Sequence, residues 1–350
     1  MKDGHIALKH IKMSKTYKRG ENLEKIDFVI TWVNGNDKNW AIQKAKYTGE
    51  DINRIIDNDN ARYRDWELLK YWFRAVETNA PWVNKIYFVT CGQIPEWLNT
   101  ENEKLVIMNH DMFIDGEYLP TFNSCAIEVN FNKIPGVSEQ FVYFNDDMFI
   151  NKPVKETDFF KNRIPVDSVI LNPIQASPNA TLGIRYKCMS VINSHFKFKD
   201  LKRSNLFSLK NGKYLYKNLT LSIYPFNPGI MSTHLPSSLL KSTFDTVWKQ
   251  EEALLKEVSS HKLRQDNDVS QWLFQYWQIA SNNVIVRKNS DGKYYDIESD
   301  LTNILDDVKR AKHKIICIND SEKVTDYENK RKKILEVFEK RYTFKSSFEK

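Results

Sequence analysis

The sequence predicts an α/β fold: a mainly parallel, Rossmann-like sheet flanked by helices, with an irregular inserted region and a charged C-terminal helix. Three observations lead there. β-branched and aromatic runs alternate with segments of helical period over the first half, the pattern of a parallel sheet covered on both faces. Three of the runs stop abruptly in Asn, Asp or Gly, as strands do at loops. The last stretch, 321–350, is dense in charge around a thin stripe of Ile334, Leu335, Val337 and Phe338.

The elements follow in order. The run IDFVITWV (26–33) is a buried strand closed by Asn34-Gly35. Trp66, Leu69, Trp72, Phe73 and Val76 recur at helical spacing, so 65–79 is an amphipathic helix with Asp65 near its start. KIYFVTC (85–91) and 105–108 are strands. Residues 126–131 form a helix capped by Asn123 or Ser124. QFVYF (140–144) is a core strand that ends in Asn145-Asp146-Asp147. Pro, Asn and Ser break up the middle of the chain, so 155–230 reads as an irregular, substrate-facing insertion. Helices return at 237–258 and 269–280, and a last strand, 314–318, ends at Asn319-Asp320. The domain expectation is a basic flexible segment at 1–24, a catalytic domain at 25–320 and a charged helix at 321–350.

Composition narrows the class. With 350 residues, 41% hydrophobic and 13% aromatic, the chain has material for a packed core. Its formal charge of +7 favours anionic partners. No run approaches the ~20 apolar residues that cross a bilayer, and the start lacks a signal core, so the expected location is cytoplasmic, with peripheral contact at the inner membrane face. Cys91, Cys125, Cys188 and Cys317 are widely spaced and read as reduced thiols. The aromatics 272–277 follow the helical period, which argues against a nucleic-acid stacking surface.

Polar residues gather where strands end: Asn34 to Asp37, Asp146-Asp147 and Asp320. Ligands of open α/β sheets bind at the carboxyl ends of strands. Hard divalent cations take oxygen ligands, and adjacent carboxylates repel unless a cation lies between them. The same residue types also cap turns, and spacing alone weighs the two equally. Arg62, before the 65–79 helix, can clamp phosphate or pair with surface acids. Asn123 and Ser124 open a helix whose N–H groups can receive phosphate or be plainly capped. His234 can serve as a base or as a structural histidine. His261 and Arg264 lie between helices, where basic residues also serve as C-terminal caps.

Taken together and in this order, these segments resemble the Stealth family of sugar-1-phosphate transferases. The blocks that carry the likeness are IDFVITWVNGND (26–37), Ala80-Pro-Trp-Val, Gly92 to Asn99, Leu119-Pro-Thr-Phe-Asn-Ser124, Ala126-Ile-Glu128, Phe144-Asn-Asp-Asp-Met-Phe149, His234-Leu-Pro, His261-Lys-Leu-Arg264 and Cys317-Ile-Asn-Asp320. Ser237 and Asn130 stand where family members often carry further histidines, so roles resting on those do not transfer. The resemblance implies a Mg2+ or Mn2+ site at Asp146 and Asp147. It implies Asp27, Asn34, Asp37, Arg62, Asp65, Asn123, Ser124 and His261 near the nucleotide sugar. It makes His234, Arg264, Asp147 and Asp320 the catalytic set.

The implied reaction moves a sugar 1-phosphate from a nucleotide sugar, a UDP-hexose or UDP-N-acetylhexosamine by family habit, to a hydroxyl of a glycan that can be lipid-linked. An ordinary nucleotide-sugar glycosyltransferase and a non-catalytic glycan- or nucleotide-binding protein are the alternatives. A metal-diphosphate cradle has no use in a lectin. Both charged ends, 1–21 and 323–350, are expected to be dispensable for chemistry and to hold the enzyme near its acceptor, the membrane or a synthesis complex.

Overall fold

In a computed structural model, residues 25–49, 65–175, 180–320 and 324–350 are described. The segment 1–24 and Arg62 lie outside them. β1 (Ile26–Thr31) sends Phe28 and Ile30 to one side of the sheet and Val29 to the other, all fully buried. Burial on both faces is why the run is continuously apolar. α1 (Lys38–Thr48) starts at Asp37 and ends at Gly49 in the left-handed conformation. α2 (Leu69–Asn79) buries Trp72, Phe73 and Val76 against that sheet. β2 (Ile86–Thr90) and β3 (Leu105–Asn109) extend it. α3 (Ser124–Glu128) is a short helix capped by Asn123, shorter than the expected 126–131 and followed by a tight turn.

β4 (Gln140–Asn145) completes the parallel part, and the chain then crosses from the main sheet into a second one through β5 (Met148–Ile150). The inserted region is more regular than its sequence suggests. A hairpin of β6 (Phe160–Lys161) and β7 (Ile164–Asp167) is followed by three helices, α4 (Ala180–His195), α5 (Arg203–Leu206) and α6 (Leu215–Leu221). The expected helix at 237–258 divides. β8 (Ser237–Leu240) pairs antiparallel with β4, and only then do α7 (Lys241–Gln250) and α8 (Glu252–Ser260) begin. α9 (Gln271–Ala280), β9 (Ile285–Val286), β10 (Gly292–Asp296), α10 (Ile297–Arg310), β11 (Ile315–Asn319) and α11 (Tyr327–Arg341) follow.

The main sheet runs β3-β2-β1-β4-β8, parallel except at the β8 edge, and a smaller sheet runs β10-β11-β5. Helices and apolar side chains cover both faces of the main sheet. Asn145 to Asp147 occupy the corner where one sheet passes into the other, and Ile318 N donates to Asp147 O at 2.9 Å. The carboxyl ends of β1, β4 and β11 therefore meet in one place.

The charged tail is not an appendage. Ile334, Phe338, Tyr342 and Phe348 are buried in the core beneath α2, and Arg74 forms a two-pronged pair with Glu349 at 2.7 and 2.6 Å. The expected dispensability of the tail is therefore corrected: its apolar stripe is core, and Glu349, Lys330 and Arg341 tie it to the body. Burying each of those four side chains contributes about 1.5–3 kcal/mol, against a total stability of about 5–15 kcal/mol for a typical protein. Truncation at residue 322 is expected to yield chain that lacks a cooperative thermal transition, and calorimetry would read it directly.

Candidate functional site

A cavity of about 810 Å³ opens at the carboxyl ends of these strands. Asp146 and Asp147 form its floor, Asp320 enters from the end of β11, Ser124 and Glu128 from α3, and His234 and Arg264 from two loops. Residues far apart in sequence meet there because parallel strands all deliver their last residues to the same edge.

His234 Nε2 lies 3.3 Å from Asp147 Oδ2. The backbone of His234 is in the left-handed region, with φ of 47°, which costs on the order of 1–2 kcal/mol for a residue with a side chain. The loop leading to it starts at Gly229, whose φ is 138°; a Cβ there would sit 2.3 Å from Asn172 O. Burial pushes the His234 pKa down, but the hydrogen bond and charge of Asp147 outweigh it. The net shift is upward from the usual histidine value.

Asp147 is held from several sides. Its Oδ2 also accepts from the Cys317 thiol at 3.2 Å. That thiol, buried and beside Asp147, is pushed well above its usual pKa and so remains a donor. Asp147 Oδ1 is buried without a hydrogen-bond partner. Asp146 lies among protein groups but is more than a third exposed to the cavity. Enclosure first, then the charges of Asp147 and Asp65, push its carboxyl up to about 7. An orphaned carboxylate oxygen beside a carboxyl reluctant to ionise is a donor set that a hard divalent cation would satisfy. Asp147, His234 and Cys317 also bring one ligand-type atom each within 4.8 Å of one another.

Opposite the acids, Arg264 Nη2 donates to Ser124 Oγ at 2.5 Å. Glu128, buried behind them, accepts from Gln271 N at 3.0 Å and from Tyr143 Oη at 3.3 Å, and Thr31 Oγ1 lies 3.1 Å from that phenol. Burial raises the Glu128 pKa, and the Gln271 amide and then Arg264 counter it. Sequence reasoning quoted Glu128 but gave it no role, and it missed Cys317 and Tyr143 as site residues. A glutamate in the apolar run Cys125-Ala-Ile-Glu-Val129, the last residue of the short helix that Asn123 caps, was the available signal.

Other expected site residues stand behind the wall. Asn123 Nδ2 donates to the fully buried Asp268 at 2.8 Å, and His261 Nδ1 donates to the same carboxylate at 2.6 Å. Together they fix the 261–268 loop that carries Arg264. α4 packs tightly on that loop, since a Cβ at Gly183 would fall 2.6 Å from Asp266 O. Asp65 accepts from Glu67 N at 2.7 Å at the entrance to α2, and burial raises its pKa. Trp66 Nε1 donates to Asp320 Oδ2 at 2.9 Å.

Three expected site residues do not line this cavity. Asp27 is the second residue of β1, at the wrong end of the strand. Its carboxylate accepts from Asn84 Nδ2, Lys85 N and Ser138 N at 2.6, 3.1 and 2.7 Å and ties two loops together away from the cavity. Asn34 Oδ1 is taken by Asn36 N in the turn. Asp37 caps α1 through Asn39 N and Trp40 N and borders only a smaller neighbouring cavity of about 340 Å³.

Residues 62–166 match the model of Stealth protein CR2, conserved region 2, and residues 24–51 that of Stealth protein CR1, conserved region 1. The chain is 42% identical over 334 residues to the capsular polysaccharide phosphotransferase WcwK of Streptococcus pneumoniae, covering 94% of this chain and 99% of the relative. It is 41% identical over 332 residues to the receptor polysaccharide phosphotransferase WefC of Streptococcus gordonii, covering 93% and 99%. It is 37% identical over 331 residues to the exopolysaccharide phosphotransferase cps2G of Lactiplantibacillus plantarum, covering 93% and 96%. Among solved structures it is similar to the galactosyltransferase LgtC, with a TM-score of 0.38 and 9% identity over 90% of this chain and 95% of that one.

Proposed function

The chain belongs to the Stealth family of polysaccharide phosphotransferases, and on that premise we propose that it transfers a sugar 1-phosphate from a nucleotide sugar to a hydroxyl of a surface-polysaccharide repeat unit. The observation that carries the reading is the 3.3 Å approach of His234 to Asp147 on the floor of a cavity walled on the other side by Arg264.

The acceptor hydroxyl attacks the phosphorus bonded to the sugar. The bond from that phosphorus to the bridging oxygen breaks, the electron pair leaves with a nucleoside monophosphate, and a sugar–phosphate–sugar diester forms. His234 takes the hydroxyl proton at Nε2, and Asp147 orients the imidazole and stabilises its protonated form. Arg264 holds the equatorial phosphate oxygens, where charge builds as the transition state loosens. Ser124 positions that guanidinium, and the charge of Glu128 nearby attracts it. Asp146 and Asp147, with Asp320 beside them, would hold magnesium or manganese, which supplies Lewis-acid neutralisation of the diphosphate. Asp320 borders the donor, Asp65 stands behind it next to Trp66, and the acceptor can be lipid-linked.

The test is the leaving group. Incubating the purified chain with a panel of nucleotide sugars and a glycan acceptor is expected to release a nucleoside monophosphate, UMP for a UDP-sugar. It is also expected to place phosphodiester signals in the phosphorus NMR spectrum of the product. Stoichiometric nucleoside diphosphate with a phosphorus-free product would mean attack at the anomeric carbon, and the reading would fall.

A further inference from the structure

The positive charge of this protein is not spread over it. Between 181 and 230 there are nine Lys or Arg and a single Asp, a formal +8, whereas the whole chain carries only +7. The same stretch holds the exposed apolar surface. Seven of the thirteen large hydrophobic side chains that are exposed among the described residues lie between Tyr186 and Phe226. Leu209, Ile223 and Phe226 are 85%, 83% and 65% exposed.

These side chains are held outward by the fold. Tyr216, Leu219 and Ile223 follow at spacings of three and four along α6 and its continuation, which puts them on one face. The opposite face is pinned to the body. The buried Asn218 donates to Val169 O and Leu206 O at 2.8 and 2.6 Å and accepts from Leu171 N at 2.6 Å. Lys217 Nζ donates to Asn172 Oδ1 at 2.6 Å. Lys202, Arg203, Lys210 and Lys213 are exposed on or beside the segments that pack against α6. The result is an apolar tip in a cationic collar on a rigid helical base, and α4 within that base also lines the catalytic cavity through Thr181 and Ile184.

We propose that this helical insertion docks the enzyme on the surface of an anionic lipid bilayer. An apolar face ringed by lysines is the pattern of a segment that lies in the headgroup region, with its tip in the acyl boundary and its cations on acidic lipids. An anionic polysaccharide would satisfy the lysines and stack on tyrosines. It would leave Leu209 and Ile223, the most exposed of the set, in water, and their aliphatic character selects the bilayer. The inference is independent of the bond that the enzyme breaks, because it rests on residues outside the catalytic machinery.

The test is flotation of the full-length protein with phosphatidylcholine vesicles, with and without phosphatidylglycerol. Binding is expected only with phosphatidylglycerol, and it falls as salt rises. The triple variant Leu209→Ser, Ile223→Ser, Phe226→Ser and the double variant Lys210→Glu, Lys213→Glu are each expected to weaken it by at least about tenfold. Both retain the wild-type circular dichroism spectrum and the wild-type rate on a water-soluble acceptor. Tyr224→Trp keeps the surface intact and is expected to shift its emission to the blue on adding the anionic vesicles. Absence of wild-type flotation, flotation unaffected by both variants, or retention on an anionic polysaccharide matrix without vesicle binding would each overturn the proposal.

Discussion

Replacing Asp147 by asparagine is expected to lower turnover by at least about a thousandfold, on the order of 4 kcal/mol in the barrier, with the fold intact. Asparagine has the same shape, and the main-chain bond from Ile318 N to residue 147 O does not depend on the side chain. What disappears is a charge that two neighbours use, since Cys317 donates to it and His234 contacts it, together with a buried Oδ1 that has no other partner. A carboxamide can satisfy the thiol but cannot stabilise an imidazolium or hold a metal as tightly.

The same substitution has a signature independent of rate. The His234 pKa is raised because the hydrogen bond and charge of Asp147 overcome the opposing effect of burial. With Asp147 neutral, burial is left unopposed by it, so the His234 pKa should drop, which NMR titration of the imidazole would read. In wild-type enzyme the base must be deprotonated, so kcat/KM rises with pH through a midpoint above the usual histidine value. Stability moves the other way. His234 and Asp146 both have raised pKa values in the folded state, the latter at about 7. Each contributes stability that is fully present below its unfolded pKa and lost as pH rises through its folded pKa. Metal-free protein should therefore melt lower at pH 8 than at pH 5. Asp146 is exposed enough for solvent to screen it, so its share is about 1–2 kcal/mol. Asp147→Asn removes one of the repelling charges and should recover part of that loss. A pH-independent melting temperature together with wild-type turnover in the variant would remove Asp147 from the site.

The strands that build the site were legible because they are buried on both faces. The runs at β1, β2, β4 and β11 contain few polar residues to blur them, and each ends at an Asn, Asp or Cys-Gly that marks the loop. β8 was not legible. Four residues, Ser-Ser-Leu-Leu, carry no period of their own, and they are a strand only because β4 offers them an edge, with Gln140 opposite Leu240 and Tyr143 opposite Ser237. α4 was hidden because its apolar residues are not confined to one face, and the burial of α11 by a stripe too thin to stand out from its charge. The site divided along the same line. Asp146, Asp147, His234, Arg264 and Asp320 share one cavity although ~170 residues separate the first from the last. Asp27 belonged to the 26–37 block, which reaches the strand's carboxyl end, but it sits four residues before the end of β1. At about 3.3 Å per residue that is ~13 Å from the strand's functional edge. Strand direction, which the sequence already implied, would have excluded it.

Arg264→Ala is expected to lower kcat by about a thousandfold, the usual scale for removing a cation that faces a phosphoryl transition state. Affinity for the nucleotide sugar should change much less, since charge on the equatorial oxygens grows mainly during transfer. Arg264→Lys should recover little, because an ammonium cannot span two phosphate oxygens while also reaching Ser124 Oγ, 2.5 Å from the present guanidinium. A rival explanation is available in the same wall: Arg264 also helps keep the buried Glu128 ionised. Its loss would let burial push that carboxyl further up, disturbing the site without any direct contact with phosphate. The double variant Arg264→Ala, Glu128→Gln separates the two. If Arg264 serves only to balance Glu128, removing both charges should restore most of the lost rate. If it acts on the transferred phosphoryl group, the double variant should stay as slow as Arg264→Ala alone. The expected result is the second. Recovery to within about tenfold of wild type would instead make Arg264 a positioning residue and leave the phosphate to other cations.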